Sequence, residues 1–484
     1  MTSTAPDGPV SDDDQRLLEA VAGGFPAAVD DLGRLVRIPG IAWPAFDQSA
    51  LVRSAEEIAE LARDTGLFDT VDIERAPVAD GDGDELGQPA VLAVRRAKAG
   101  RPTIMLYAHH DVQPPGDDEL WETPPFEPTV RDGRIYARGA ADDKAGVMAH
   151  IASLRALAET IGPDAVDLGI VLFVEGEEEY GSRSFAPFLE THAETMRSDV
   201  IVVADSGNLD SETPAVTVSL RGNAKFHLTV RTLEHASHSG MFGGAVPDAM
   251  MAAVRLLSTL WDENGAVAVD GLVAREAETP PYDEEQLRDE TGLLEGVRPV
   301  GSGSILGRIW NGPTVTVTGI DFTTVEAASN TLAPEVTLVL SCRVAPGQSS
   351  ADAYAAIERH LRAHAPFGAQ LAFSEVDLGD SVLVDTDGWA IGEARRALSD
   401  GYGRESVDYG VGGSIPFISD LAERYPDAQI LVTGVEDPHS RAHSPNESLH
   451  IDTFRNAIRS EALLLARLNR REMTSAGPID DNGR

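Results

Sequence analysis

Apolar residues form short unbroken runs at four places along the chain, and each run is followed by acidic or imidazole side chains. The runs cover residues 103–108, 168–174, 200–204 and 429–433. Runs of this length without polar alternation are typical of strands that are buried on both faces. Between the first two, apolar residues recur at helical spacing across residues 144–159. This alternation predicts an α/β domain whose mostly parallel sheet is sandwiched by helices.

The pattern changes at Pro214, where apolar and polar residues begin to alternate as they do in antiparallel strands with one buried face. Several such strands and two helical segments predict an α+β domain over residues 214–379, inserted into a catalytic domain formed by residues 13–213 and 380–473. We expect flexible tails at residues 1–12 and 474–484. The polar stretch 262–309 is long for a loop, and we expect short elements there or a cover over a site.

Composition narrows the possible partners. The 484 residues include 39 Lys and Arg against 79 Asp and Glu, a formal net charge of −40. Phosphate backbones and anionic membranes would repel such a chain, so we expect no nucleic-acid or membrane partner. Cys342 is the single cysteine, which excludes an intrachain disulfide. With no apparent secretory signal, this composition predicts a cytoplasmic protein.

Ligand-type side chains follow the predicted strands. His109 and Asp111 follow the first, "EGEEEYGS" the second, Asp205 the third, and "GVEDPHSRAHSPNES" the fourth, while Asp142 precedes the helix. In open α/β sheets such residues converge beyond the carboxyl ends of the strands. Imidazoles and carboxylates without thiolate suit zinc, manganese or cobalt, and their number suits two ions and a carboxylate base. Taken alone, an acidic cluster is more often solvated surface and a lone histidine more often a packed or exposed imidazole, but their shared position at successive strand ends favours a site.

In chain order, the motifs "HHD", "GAADDKAG", "EEEYGS", "ADSG", "HSG", "GGSIP" and "HSPNES" together resemble the M20 metallopeptidases. The resemblance favours the branch that contains carnosinase and cytosolic nonspecific dipeptidase. It implies two divalent ions, with zinc the expected metal and manganese or cobalt the alternatives. One ion would be held by His109, Asp142 and Asp205, and the other by Asp142, Glu179 and His443.

The resemblance also assigns catalytic parts. Asp111 would orient the imidazole of His109, and a cis peptide bond would follow the bridging Asp142. Glu178 would be the general base that activates a metal-bridging water. His238 would stabilise the oxyanion in a partner subunit's site, although Ala236 stands where relatives carry an acidic residue.

Substrate contacts and assembly are implied in the same way. Arg343 would bind a free substrate carboxylate. Thr331, Gly413 and Ser414 would contact the rest of the substrate. The inserted domain would be a ferredoxin-like lid that forms a homodimer.

The sequence therefore predicts a di-metal hydrolase that cleaves dipeptides or short peptides with a free carboxylate. An alternative within the same superfamily is a deacylase or desuccinylase of N-acyl amino acids. A third possibility is a metal-binding protein without turnover, although no predicted ligand or base is missing from the sequence.

Overall fold

The structure is a computed structural model that describes residues 11–79, 81, 85–413 and 416–473. The chain divides into two compact units. The first contains residues up to Val218, Val384–Tyr409 and the residues from Asp420 onward, and the second contains Ser219–Leu383 and Gly410–Ser419. Ser414 and the residues of both predicted tails, apart from 11 and 12, lie outside the described residues.

The helices, in chain order, are α1 (Asp12–Val36), α2 (Ser49–Asp64), α3 (Lys144–Ile161), α4 (Phe185–Thr191), α5 (Ser239–Phe242), α6 (Ala249–Leu257), α7 (Glu284–Thr291), α8 (Ile305–Asn311), α9 (Ser350–Ala363), α10 (Trp389–Tyr402), α11 (Pro416–Arg424) and α12 (Ile451–Arg470). None of the helices in the described ranges has both the length and the apolar character needed to cross a membrane.

The strands are β1 (Thr70–Glu74), β2 (Ala90–Arg95), β3 (Thr103–His109), β4 (Thr129–Arg131), β5 (Arg134–Tyr136), β6 (Gly169–Glu175), β7 (Val200–Val203), β8 (Ala215–Leu220), β9 (Gly222–Arg231), β10 (Ser237–His238), β11 (Thr314–Asp321), β12 (Thr331–Leu332), β13 (Glu335–Val344), β14 (Gln370–Gly379), β15 (Val382–Leu383), β16 (Val407–Val411), β17 (Gln429–Val432) and β18 (Ser448–His450).

The first unit is built on a mixed sheet with the order β1-β2-β6-β3-β7-β17-β8. Its centre is parallel, because β3 runs parallel to β6 and β7, and β17 runs parallel to β7. The flanking β1, β2 and β8 are antiparallel to their neighbours. Every residue of β6 is buried, since helices cover both faces of the sheet. Helices α1, α3, α10 and α12 contribute to the same apolar core.

The second unit has an antiparallel sheet with the order β11-β13-β9-β14. Alternate residues of β9 are buried against α6 and α9, and this unit has its own apolar core. The α/β sheet covered by helices and the α+β second unit confirm the predicted fold class. The stretch 262–309 does contain short helices, α7 and the start of α8.

Three segments lie with a different unit from the one expected, and two of them, residues 214–218 and 380–383, are short stretches at the expected boundaries. Residues Gly410–Ser419 belong to the second unit, whereas the sequence pattern grouped them with the catalytic domain. Gly410 packs against the indole of Trp310, where an added Cβ would lie 2.6 Å from the Trp310 side chain. The Gly412 carbonyl also accepts a hydrogen bond from Arg221. Both contacts join residues that are far apart in the sequence, so no local pattern predicts them.

Candidate metal and catalytic site

The central strands of the first unit deliver several candidate ligands to one edge of the sheet. His109 is the last residue of β3 and pairs with Glu175, the last residue of the parallel β6. Asp205 follows β7, and Asp142 precedes α3. Because the carboxyl ends of parallel strands meet at one edge, residues far apart in the sequence become neighbours.

Asp142 lies between the two candidate histidines. Its Oδ1 is 3.2 Å from His109 Nε2, and its Oδ2 is 3.0 Å from His443 Nε2. Asp205 Oδ1 is 3.9 Å from His109 Nε2, and Glu179 Oε2 is 3.2 Å from His443 Nε2. The five residues predicted to bind metal are thus brought together, with one carboxylate shared by two histidine-centred groups.

Glu178 belongs to the same cluster. One group joins His109, Glu178 and Asp205, and the other joins Asp142, Glu179 and His443, with the candidate ligand atoms of each group within 4.8 Å of one another. The donors are imidazole nitrogens and carboxylate oxygens, the set that zinc, manganese and cobalt accept. The residues therefore fit two divalent cations with a shared Asp142.

Carboxylates outnumber imidazoles in this cluster. Burial and the Asp205 carboxylate raise the pKa of Glu178 well above its usual range. Burial also raises the pKa of Asp205 to about 7 despite His109 nearby. Hydrogen bonds to Asp142 and Glu179 raise the pKa of His443 to about 11. These raised carboxylate pKa values reflect burial and the repulsion between neighbouring carboxylates, which divalent cations would offset.

Asp142 behaves in the opposite way. Burial opposes its ionisation, yet hydrogen bonds from His109 and His443 lower its pKa. Burial likewise opposes the charge on His109, but hydrogen bonds to Asp111 and Asp142 raise its pKa well above the usual range. The shared carboxylate is therefore held in its ionised form, which is the form that binds metal.

Asp111 has two sets of contacts. His109 Nδ1 lies 3.1 Å from the Asp111 carbonyl oxygen and 3.5 Å from its Oδ1. In addition, the Glu178 and Glu179 backbone N–H groups donate to the two Asp111 carboxylate oxygens at 3.0 and 3.1 Å. Asp111 is therefore in contact with the histidine and also with the turn that carries both glutamates.

A second buried carboxylate, Glu447, supports the loop that carries Asp142. Its oxygens accept from the backbone N–H groups of Gly139, Ala141 and Asp142 at 3.0–3.2 Å, and from Arg138 Nη1 at 2.6 Å. The pairing of β18 with β5 brings Glu447 to this loop. The Asp142–Asp143 peptide bond is cis, as the resemblance implied.

Glu436 is a further acidic residue at this site that sequence reasoning did not select. Its backbone N–H and carbonyl bond to Ser206 and Asn208, next to Asp205. Burial and the carboxylates of Asp142 and Asp205 raise its pKa well above the usual range. Its position within "GVEDPHS", directly after the fourth buried strand, was the available signal.

The remaining predicted site residues belong to the second unit. His238 and Thr331 face each other as cross-strand partners in β10 and β12, and both are exposed. The His238 Nδ1 atom accepts a hydrogen bond from the Gly240 N–H at 3.1 Å. Arg343 is half-buried on β13, and Gly413 follows β16. Cys342 is buried, and its burial raises the thiol pKa to about 12, in keeping with a packing residue.

Residues 105–467 match the peptidase family M20/M25/M40. The chain is 34% identical over 400 residues to the cysteinylglycine-S-conjugate dipeptidase of Corynebacterium striatum. The matched region covers 82% of this chain and 86% of that protein. It is 26% identical over 438 residues to the human Beta-Ala-His dipeptidase, covering 84% and 82% of the two chains.

Two solved structures share the fold along nearly the whole chain. The di-peptidase Dug1p of Saccharomyces cerevisiae superposes with a TM-score of 0.78 at 21% identity, covering 95% of this chain and 99% of that one. Human carnosine dipeptidase 1 gives a TM-score of 0.77 at 22% identity, covering 96% and 100%. The predicted M20 resemblance is confirmed, and the chain belongs to the peptidase family M20/M25/M40.

Proposed function

We propose that this protein is a metallodipeptidase that hydrolyses the peptide bond of short peptides, dipeptides in particular, that carry a free carboxylate. The observation that carries the proposal is the shared Asp142 between His109 and His443, with Glu178 and Glu179 beside them. Because its named relatives are dipeptidases, the dipeptidase is favoured over the N-acyl amino acid deacylase.

The residues that would hold the two ions are His109, Asp142, Asp205, Glu179 and His443, with zinc the preferred metal. Bound divalent ions supply a nucleophilic water at neutral pH and polarise the substrate carbonyl. Glu178 takes the proton from the attacking water and passes it to the leaving amine. Its carboxylate lies beside the candidate ligand atoms of His109 and Asp205, close to the position of such a water.

Arg343 binds the substrate carboxylate through its planar guanidinium. His238 stabilises the developing oxyanion, and Thr331 lies opposite it on the paired strand. Gly413 and Ser414 contact the substrate backbone. Asp111 positions the Glu178 turn through two backbone hydrogen bonds.

The decisive experiment measures hydrolysis by metal-reconstituted protein. Wild-type protein, Glu178→Gln and the exposed control Glu190→Gln are assayed on a dipeptide panel and on N-acetyl and N-succinyl amino acids. We expect dipeptide hydrolysis to fall roughly 10²–10⁴-fold in Glu178→Gln, the usual contribution of general acid–base catalysis, and to be unchanged in the control. Cleavage of the acyl amino acids alone would refute the dipeptidase assignment.

We also propose that the second unit forms a homodimer. The edge strand β11 carries exposed apolar side chains, including Val317 and Ile320, and Phe322 follows it. Exposed apolar edge strands favour pairing with another chain. Light scattering coupled to size-exclusion chromatography should give twice the chain mass, and a purely monomeric mass would contradict the proposal.

A further inference from the structure

Two neighbouring arginines of the second unit, Arg221 and Arg343, form no ion pair with a carboxylate of the described residues. Arg343 on β13 pairs with Asn223 on β9, and Arg221 precedes Asn223 by two residues. Arg221 lies directly before Gly222, which pairs with Val344, so the backbones of Arg221 and Arg343 are close to each other. Burial and, to a smaller extent, the positive charge of Arg343 lower the pKa of Arg221 to about 10.

Acidic residues outnumber basic ones by 79 to 39 in this chain, so carboxylate partners for arginine are abundant. Arg138, the other arginine that is buried in the described residues, forms an ion pair with Glu447. Within the described part of the chain, the acidic group that acts on both arginines is the Cys342 thiol, and neither arginine forms an ion pair with a carboxylate. A pair of desolvated guanidinium groups without an internal anion is suited to binding an external one.

Arg221 also has direct contacts with the segment that follows β16. Its backbone N–H donates to the Val411 carbonyl at 3.2 Å, and its Nε donates to the Gly412 carbonyl at 3.1 Å. A Cβ added at Gly412 would lie 2.9 Å from Arg221 Nη2, so the guanidinium occupies the space of a side chain. Its Nη1 donates to the Gly312 carbonyl at 3.3 Å. These bonds fix the backbone immediately before Gly413.

We propose that Arg221 is a positioning and specificity residue. It holds the Gly412–Gly413 segment in place and adds a second positive charge beside Arg343, so that this pair of arginines selects peptides with a free C-terminal carboxylate. The inference rests on the proposed function, because the ligand is the carboxylate of the peptide substrate. It differs from that proposal in assigning carboxylate selection to two arginines rather than one.

The test compares a dipeptide with its C-terminal amide. Arg221→Met removes the charge, and Arg221→Lys keeps the charge without the planar guanidinium. Arg231→Met is the control, since Arg231 lies exposed at the far end of β9 and pairs with Glu335. For Arg221→Met we expect KM for the free acid to rise ~10–100-fold, the loss of a charge-assisted contact, with a smaller change in kcat. The acid-to-amide preference should fall, and Arg221→Lys should recover part of it.

The result that would overturn the inference is an equal loss on acid and amide, which indicates a purely structural role, or wild-type kinetics in Arg221→Met. Dipeptide binding measured by calorimetry in a Glu178→Gln background separates the two proposals. Arg221-dependent binding without any turnover by the wild-type protein would refute the proposed function alone. Normal turnover with Arg221-independent binding would refute this inference alone.

Discussion

Glu447→Gln is expected to weaken metal binding although Glu447 is not a candidate ligand. The Glu447 side chain is fully buried and accepts four hydrogen bonds, two on each oxygen. In either orientation, the new amide nitrogen would face two donors and lose both contacts. The Arg138 guanidinium, only 1% exposed, would also lose its charged partner.

The size of the effect follows from these contacts. Breaking a buried ion pair by removing one partner costs about 3–5 kcal/mol of unfolding free energy. Loss of an outer partner of a metal ligand typically reduces metal affinity about 10–100-fold. Because Glu447 holds the Ala141 and Asp142 backbone N–H groups, we expect both effects in Glu447→Gln. Glu447→Asp keeps the charge on a shorter side chain and should show smaller losses.

Two measurements check this prediction. Competition between the protein and a chelating dye for Zn²⁺ gives the affinity, and urea unfolding followed by circular dichroism gives the stability. Glu190→Gln, which changes an exposed carboxylate on α4, is the control. Wild-type zinc affinity and an unchanged urea midpoint in Glu447→Gln would refute the proposed support of the Asp142 loop.

Two further predictions concern Asp111 and His150. Asp111→Asn can accept from only one of the two glutamate N–H groups, so we expect dipeptide turnover to fall about 10–100-fold, and full activity at unchanged metal content would contradict this. His150 Nδ1 lies 2.9 Å from Glu461 Oε2, and its Nε2 lies 3.0 Å from the Tyr107 carbonyl oxygen, so both ring nitrogens face acceptors. Burial lowers the His150 pKa, but Glu461 outweighs this and the net shift is upward. The stabilisation that protonated His150 gives the folded protein is therefore complete below about pH 6.5, the ordinary pKa of histidine. It is lost as the pH rises through the pKa of His150 in the folded protein. The unfolding midpoint, measured from about pH 6.5 upward, should depend less on pH in His150→Gln than in the wild-type protein. The same pH dependence in both proteins would contradict the role of His150.

The strands and the ends that carry ligands could be predicted because both depend on local pattern. An unbroken apolar run such as residues 168–174 indicates a strand buried on both faces, and β6 is buried throughout. His109, Asp142 and His443 could be grouped because parallel strands share one carboxyl edge. The flanking antiparallel strands were less predictable, since strand direction depends on where the chain returns to the sheet.

The supporting contacts could not be predicted, because they join segments that are distant in sequence. Glu447 bonds to residues about 300 positions away, and Arg221 bonds to Gly412 at a separation of 191. Both lie in short motifs, "HSPNES" and "SLRGN", but neither motif shows which loop the side chain will reach. The role of Asp111 in holding the Glu178 turn was missed for the same reason.

The position of β17 has a consequence for biosynthesis. This strand lies between β7 and β8, yet it is made after the entire Ser219–Leu383 segment. At ~5–20 residues per second, a ribosome needs roughly 10–45 s to travel from Val203 to Gln429. During that interval the nascent sheet lacks an internal strand, and β7 and β8 expose unpaired backbone groups. A message truncated before Gln429 would therefore yield an aggregation-prone polypeptide rather than a smaller functional domain.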